Sequence, residues 1–93
     1  MLTLDSILQI PDHVLFTKVD DDAVLLNTRT NQYFSLDEVG ARFWNLLTEG
    51  KSLRAASEML ADEYEVEGAQ LERDLLSLVE RLMEHGLVES VSA

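Results

Sequence analysis

Residues 13–36 read HVLFTKVDDDAVLLNTRTNQYFSL, and from Asp37 onward the spacing of apolar residues changes from two to about 3.6. That change decides the fold class. His13 to Val19 and Ala23 to Asn27 are rich in β-branched and aliphatic residues and flank Asp20-Asp21-Asp22, which predicts a hairpin. Gln32 to Leu36 follows the polar loop Thr28-Arg29-Thr30-Asn31 and adds a third strand. So small a sheet is not stable alone and must pack on helices. Downstream, Val39, Phe43, Leu46 and Leu47 share one face of a first helix with Trp44 at its margin, and Gly50 is placed to end it in a left-handed cap. Ser35 with Glu38, or else Asp37, is suited to cap its start. Ser52 opens a second helix, with Leu53, Ala56, Met59 and Leu60 at helical spacing, running to about Tyr64. A third helix covers roughly residues 67–85 and stops at Gly86.

Strands followed by helices predict an α+β fold, a three-stranded antiparallel sheet and then three helices, with a helix-turn-helix core formed by the short helices around Gly50. Upstream, Pro11-Asp12 is a turn signal that sets off residues 1–12 as a leading arm from one domain over 13–90.

Composition narrows the function. The chain has 93 residues, 46% of them hydrophobic, which suits one core and leaves little material for a walled active site. It has no cysteine, so disulfides, thiolate metal sites and cysteine nucleophiles are excluded. No apolar run is long enough to span a bilayer, and the start, MLTLD, lacks the basic and long apolar segments of a signal peptide; a cytoplasmic protein without a membrane partner is expected. A formal charge of −11 repels phosphate backbones and attracts cationic partners.

Catalytic and metal motifs fail on inspection. Asp20-Asp21-Asp22 begins like a calcium loop, but Leu25 and Asn31 stand where that loop needs glycine and glutamate, leaving a solvated turn. His13 and His85 have no short-spaced carboxylates to complete a ligand set and are taken as surface residues. The glutamates of residues 58–84 fall on polar helix faces, where i,i+4 pairing with Arg54, Arg73 and Arg81 accounts for them. No Ser-His-Asp, phosphate-loop or dinucleotide pattern occurs. Neither an enzymatic activity nor a cofactor or metal is therefore expected. A DNA-binding winged helix shares the outline, but its recognition helix would carry Glu67, Glu72, Asp74, Glu80 and Glu84 against only Arg73 and Arg81, the wrong chemistry for phosphate.

The third helix has one unusual property. At 100° per residue, Leu71, Leu75, Leu76, Leu78, Val79, Leu82 and Met83 fill an arc of roughly 160°, wider than the ~100° that covering one core requires. Packing between the sheet and the other helices satisfies this arc. In the functional alternative, one margin lines an open groove bordered by Asp74, Arg81 and His85 on one side and Glu72 on the other.

The stretch VLLNTRTNQYFSLDEVGARFWNLLTEGKS, Val24 to Ser52, resembles the PqqD-like family of recognition elements for ribosomally made, modified peptides. Its pattern is an aliphatic strand ending in Asn or Asp, a turn, an aromatic-rich third strand, Asn or Asp, a glycine or alanine two or three residues on, an aromatic, Leu-Leu and Gly-x-Ser or Gly-x-Thr. Leu60 to Val66, Asp74 and Leu82 to Val88 extend the resemblance, which covers about residues 13–89. It implies a winged helix-turn-helix domain, without catalysis, that binds a precursor's leader peptide as a strand added to the edge of the third strand.

The resemblance implies a binding edge of Gln32, Tyr33, Phe34, Ser35 and Leu36 and a wall of Leu71, Asp74, Leu75, Leu78, Val79 and Leu82. Alternation separates Phe34 and Leu36, for which core packing is the simpler role, from Tyr33 and Ser35, which makes Tyr33 the expected side-chain contact. Free-standing family members of pyrroloquinoline quinone synthesis have an arginine-richer first strand and a Pro-Glu-Gly turn, both missing here. Asn31 to Asp37 and Val39-Gly40 are more similar to split lasso-peptide systems, where a small leader-binding protein works with a separate peptidase and a cyclase. The implied function is thus presentation of a lasso precursor; the alternatives are a chaperone serving a radical enzyme of quinone synthesis, or a transcriptional regulator. A free edge also pairs with itself, so a monomer or weak dimer is expected.

Overall fold

A computed structural model describes residues 5–90. Residues 1–4 of the expected leading arm lie outside this range. The elements are β1 (Leu8–Gln9), β2 (Val14–Val19), β3 (Asp22–Asn27), β4 (Gln32–Leu36), α1 (Glu38–Thr48), α2 (Leu53–Tyr64), α3 (Gly68–Glu84) and β5 (Glu89–Ser90). This is the α+β arrangement expected: β2-β3-β4 form an antiparallel meander with three helices after it.

The turns follow from local chemistry. Asp20 (φ 56°) takes the left-handed conformation at the first position of the two-residue turn joining β2 to β3, and Asn31 (φ 60°) does so at the end of the β3–β4 loop. Asp and Asn tolerate that region better than most residues, which explains their presence. Asp37, rather than the Ser35–Glu38 pair, caps α1 by accepting from Gly40 N–H at 2.8 Å, and Ser52 caps α2 by accepting from Ala55 N–H at 3.2 Å. At Gly50 (φ 85°) and Gly86 (φ 70°) the chain leaves α1 and α3 through left-handed caps. In the second, Leu87 N–H donates to the Leu82 carbonyl at 2.9 Å and Gly86 N–H to that of Met83 at 3.1 Å, satisfying carbonyls the helix leaves open.

The core lies between the inner face of the sheet and the helices. Ala23, Leu25 and Leu36 meet Phe43, Leu46 and Leu47 of α1, Leu53, Ala56 and Leu60 of α2, and Leu75, Val79 and Leu82 of α3. Two expectations about the core needed correction. Trp44 is fully buried rather than marginal, with its ring stacked on Phe16 at 6.5 Å between centroids, because α1 packs on the sheet with more than one stripe. Met59 is exposed, since Leu60 and Ala56 fill the contact of α2 with its neighbours.

Residues 5–12, expected as part of a leading arm, pack onto the rest of the chain, with Leu8 in the core. Leu8 and Gln9 pair antiparallel with Ser90 and Glu89, Ser6 accepts from Leu53 N–H, and Arg54 reaches Asp5 at 3.1 Å. Two-residue strands carry no periodicity, which is why this ladder is invisible in the sequence. The expected i,i+4 partners of the arginines also differ: Arg54 pairs across the chain with Asp5, Arg42 of α1 forks onto Glu63 of α2, and Arg73 donates to Gln70.

Asn27 ties the sheet to the end of α3. Buried at the close of β3, its Nδ2 donates to the His85 carbonyl at 2.8 Å, while its Oδ1 accepts from Arg29 N–H at 3.0 Å. Nε2 of His13 donates to the neighbouring Gly86 carbonyl at 3.1 Å, so His13 is a structural bond rather than a surface residue. Asn27→Ala strands the partly buried His85 carbonyl and a loop N–H, and is expected to cost about 1–3 kcal/mol of stability. Urea unfolding should show a lower midpoint at unchanged slope.

Candidate functional site

The register of the sheet determines what its edge offers. Thr28 N–H donates to the His13 carbonyl at 2.9 Å, one step beyond the Val14–Asn27 pair. In an antiparallel ladder, bonded and non-bonded pairs alternate. Leu15–Leu26, Thr17–Val24 and Val19–Asp22 are therefore the bonded pairs of β2 and β3. Ala23, Leu25 and Asn27 are left to exchange their bonds with Leu36, Phe34 and Gln32 of β4. The N–H and C=O groups of Tyr33 and Ser35 consequently point off the outer edge of β4, which has no further strand among the described residues.

Beside this edge runs a groove of about 820 Å³, with α3 as its far wall. Phe34, Ser35 and Leu36 contribute from β4, and Leu71, Asp74, Leu75 and Leu78 from α3. The helix presents them because residues three and four apart recur on one side. Leu71 and Leu75 are buried at the floor, whereas Leu78 is only partly covered at the margin. The over-wide apolar arc thus serves two surfaces, its centre in the core and one margin in the groove.

Three expected site residues lie outside the groove, and a fourth, Tyr33, brings only its backbone to the edge. Val79 and Leu82 are fully buried and do not line the groove, because their helical phase turns them into the core. Gln32 is exposed at the start of β4, outside the groove lining. Tyr33 is 72% exposed and does not line it either. Since Phe34 and Leu36 occupy the inner side, alternation sends the Tyr33 ring to the opposite face, leaving its backbone at the edge.

Sequence reasoning missed part of the rim. Val39 and Gly40 of α1, Val66 and Glu67 before α3, and Gln70 of α3 close one side, with Asp22 and Asp37 nearby. The stripe Glu67, Gln70, Asp74, Arg81 at spacings of three, four and seven was the available signal. Asp74 accepts from Gln70 Nε2 at 2.9 Å, which orders that wall. Arg81, expected at the border, lies over the Phe34 ring at 5.9 Å, and His85 meets the same ring at 5.5 Å, bridging strand and helix. Glu72, expected at the opposite border, does not line the groove.

The groove is suited to holding an extended chain. It combines unpaired main-chain donors and acceptors with apolar walls and a mostly acidic rim of Asp22, Asp37, Glu67 and Asp74. The Arg42 guanidinium is raised in pKa by its hydrogen bond to Glu63, and Tyr64 is raised by burial, but neither lines the groove. Among the described residues no group of His, Asp or Glu is arranged to hold a metal ion.

Comparison with known proteins bears on this geometry. The family model for coenzyme PQQ synthesis protein D (PqqD) matches residues 22–88. The chain belongs to the PqqD family. Two solved structures share the fold of this PqqD-family chain. One, TbiB1 in complex with the TbiA(beta) leader peptide, is 38% identical with a TM-score of 0.83, covering 91% of this chain and 99% of TbiB1. The other, lasso peptide synthetase B1 complexed with the leader peptide, is 30% identical with a TM-score of 0.81, covering 89% of this chain and 98% of its own. A search of curated proteins gave no match. No helix among the described residues is long and apolar enough to cross a membrane.

Proposed function

We propose that this chain is a non-catalytic peptide-binding module that captures the leader of a lasso-peptide precursor and presents it to a separate leader peptidase and a cyclase. The observation that carries this reading is the free edge of β4 facing an apolar groove: Tyr33 and Ser35 offer main-chain bonds while Phe34, Leu71, Leu75 and Leu78 offer pockets. Strand addition uses that division, with backbone bonds for affinity and alternate side chains for selectivity. The two structural relatives, both complexed with leader peptides, support it. The deciding experiment is titration of a fluorescein-labelled leader peptide followed by anisotropy. Saturable binding, competed by unlabelled leader, is expected; no binding by the folded chain overturns the reading. Incubated alone with the full precursor, the chain should leave its mass unchanged.

The PqqD match keeps a second reading in view, a peptide chaperone serving a radical enzyme of quinone-cofactor synthesis. The two part on the ligand: a lasso leader should compete for the groove in one, a quinone-cofactor precursor in the other. A regulatory role conflicts with the charge of −11. In a gel-shift titration at physiological salt, no binding to duplex DNA is expected, because phosphate contacts need a basic surface.

A further inference from the structure

The groove beside β4 differs in charge between its two ends. Arg81 lies over the Phe34 ring at 5.9 Å, and from there α3 runs back about 20 Å to Gly68. At that far end the lining is Val66, Glu67 and Gln70 from the helix side, with Asp37 and Val39 from the start of α1. An extended peptide needs about six residues to cover the distance, so backbone bonds to Tyr33 and Ser35 leave its far end to be held by side chains. We infer that this end is a subsite for a Lys or Arg side chain of the bound peptide, with Glu67 as the residue that selects it.

Three observations single out Glu67. The neighbouring acids are committed: Asp37 accepts from Gly40 N–H to cap α1, and Asp74 accepts from Gln70 Nε2. Glu67 is the N-cap of α3 yet makes no side-chain cap bond, so its carboxylate has no local task. Among the described residues no cation neutralises it, since Arg42 is taken by Glu63, Arg54 by Asp5, and Arg73 donates to Gln70. The surface around it is apolar, with Val66 47% exposed and Val39 half-buried. A long aliphatic stem ending in a charge fits that combination, the stem lying on the valines while the head reaches the carboxylate and water. At the other end Arg81 repels a second cation, so the basic residue is specified by position as well as by charge.

The inference rests on the leader-binding reading, and leader anisotropy separates the two. The probes are the fluorescein-labelled leader and variants in which each Lys or Arg is replaced in turn by norleucine, which keeps an aliphatic stem and removes the charge. With the parent chain, one such position should weaken binding about fivefold to tenfold, the scale of a charge-assisted bond. Glu67→Gln should weaken the unmodified leader by the same factor and show no further loss with that norleucine variant, because both changes remove one interaction. Glu67→Lys should lose about tenfold or more, and a leader with Glu in place of that basic residue should bind it within about threefold of the parent pair. Glu58→Gln removes the same charge from the exposed face of α2 and should change affinity by less than about twofold. Circular dichroism checks that each variant is folded, as expected for an exposed side chain without a cap bond.

Equal norleucine losses in the parent and Glu67→Gln overturn the inference, as does a leader that binds without any Lys or Arg. So does Glu58→Gln weakening the leader as much as Glu67→Gln, since the whole-chain charge of −11 then accounts for the effect. If the parent binds no leader at all, the groove reading itself fails and the subsite falls with it; saturable binding without this coupling removes the subsite alone.

Discussion

Ser35→Pro should leave the domain folded and weaken leader binding about tenfold to a hundredfold. Proline removes a backbone donor and is tolerated in a sheet only where that donor faces away from the neighbouring strand. Ser35 meets that condition, because β3 takes its bonds from Leu36, Phe34 and Gln32, and the Ser35 N–H points off the edge. A bound peptide loses one main-chain bond and must bury an unpaired carbonyl, at about 1–3 kcal/mol, with the proline ring adding a steric obstacle. Phe34→Pro, one residue away, removes an N–H committed to Leu25 and should destabilise the fold itself. The pair is read by leader anisotropy beside urea unfolding followed by circular dichroism. Equal leader affinity in Ser35→Pro and parent would show that β4 does not receive the peptide.

The legibility of this fold in its sequence depended on segment length. The strands of the meander and the three helices are long enough for period two and period 3.6 to declare themselves, and turn chemistry at Asp20, Asn31, Asp37 and Gly86 marks their ends. The β1–β5 ladder has two residues per strand and no pattern to read. Long-range polar bonds were also hidden: nothing in the text around Asn27 or His13 tells that both hold the backbone at His85 and Gly86. For the groove, helical phase separated Leu78 and Asp74 from Val79 only once the neighbouring packing was known. An arc wider than one core needs is visible in sequence, but which margin opens to solvent is decided by where β4 stops and α1 begins.

The side-chain half of the site is tested most sharply at Leu78. Leu75 lines the groove but is 5% exposed, so Leu75→Ala opens a cavity in the core and is expected to cost about 2–5 kcal/mol of stability, confusing its effect on binding. Leu78 stands at the margin, partly exposed, where a change is felt by a ligand before it is felt by the fold. Leu78→Ala should weaken the leader by about 1–3 kcal/mol, the range of a buried interface anchor. Leu78→Glu should have a larger effect. In the free chain its carboxylate reaches water at the rim, so the fold survives; with the peptide bound, it is desolvated against apolar surface beside Asp74, which repels it. A fall of more than about a hundredfold in affinity is expected, as at least 2.7 kcal/mol of opposition converts to that factor. Tyr33→Ala, whose ring lies outside the groove, should change leader affinity by no more than about threefold, the scale of one cross-strand neighbour. Glu58→Arg on the exposed face of α2 should do nothing beyond a small uniform charge effect. Should folded Leu78→Glu bind leader like the parent while Glu58→Arg abolishes binding, the peptide lies elsewhere and the wide arc of α3 is core packing alone.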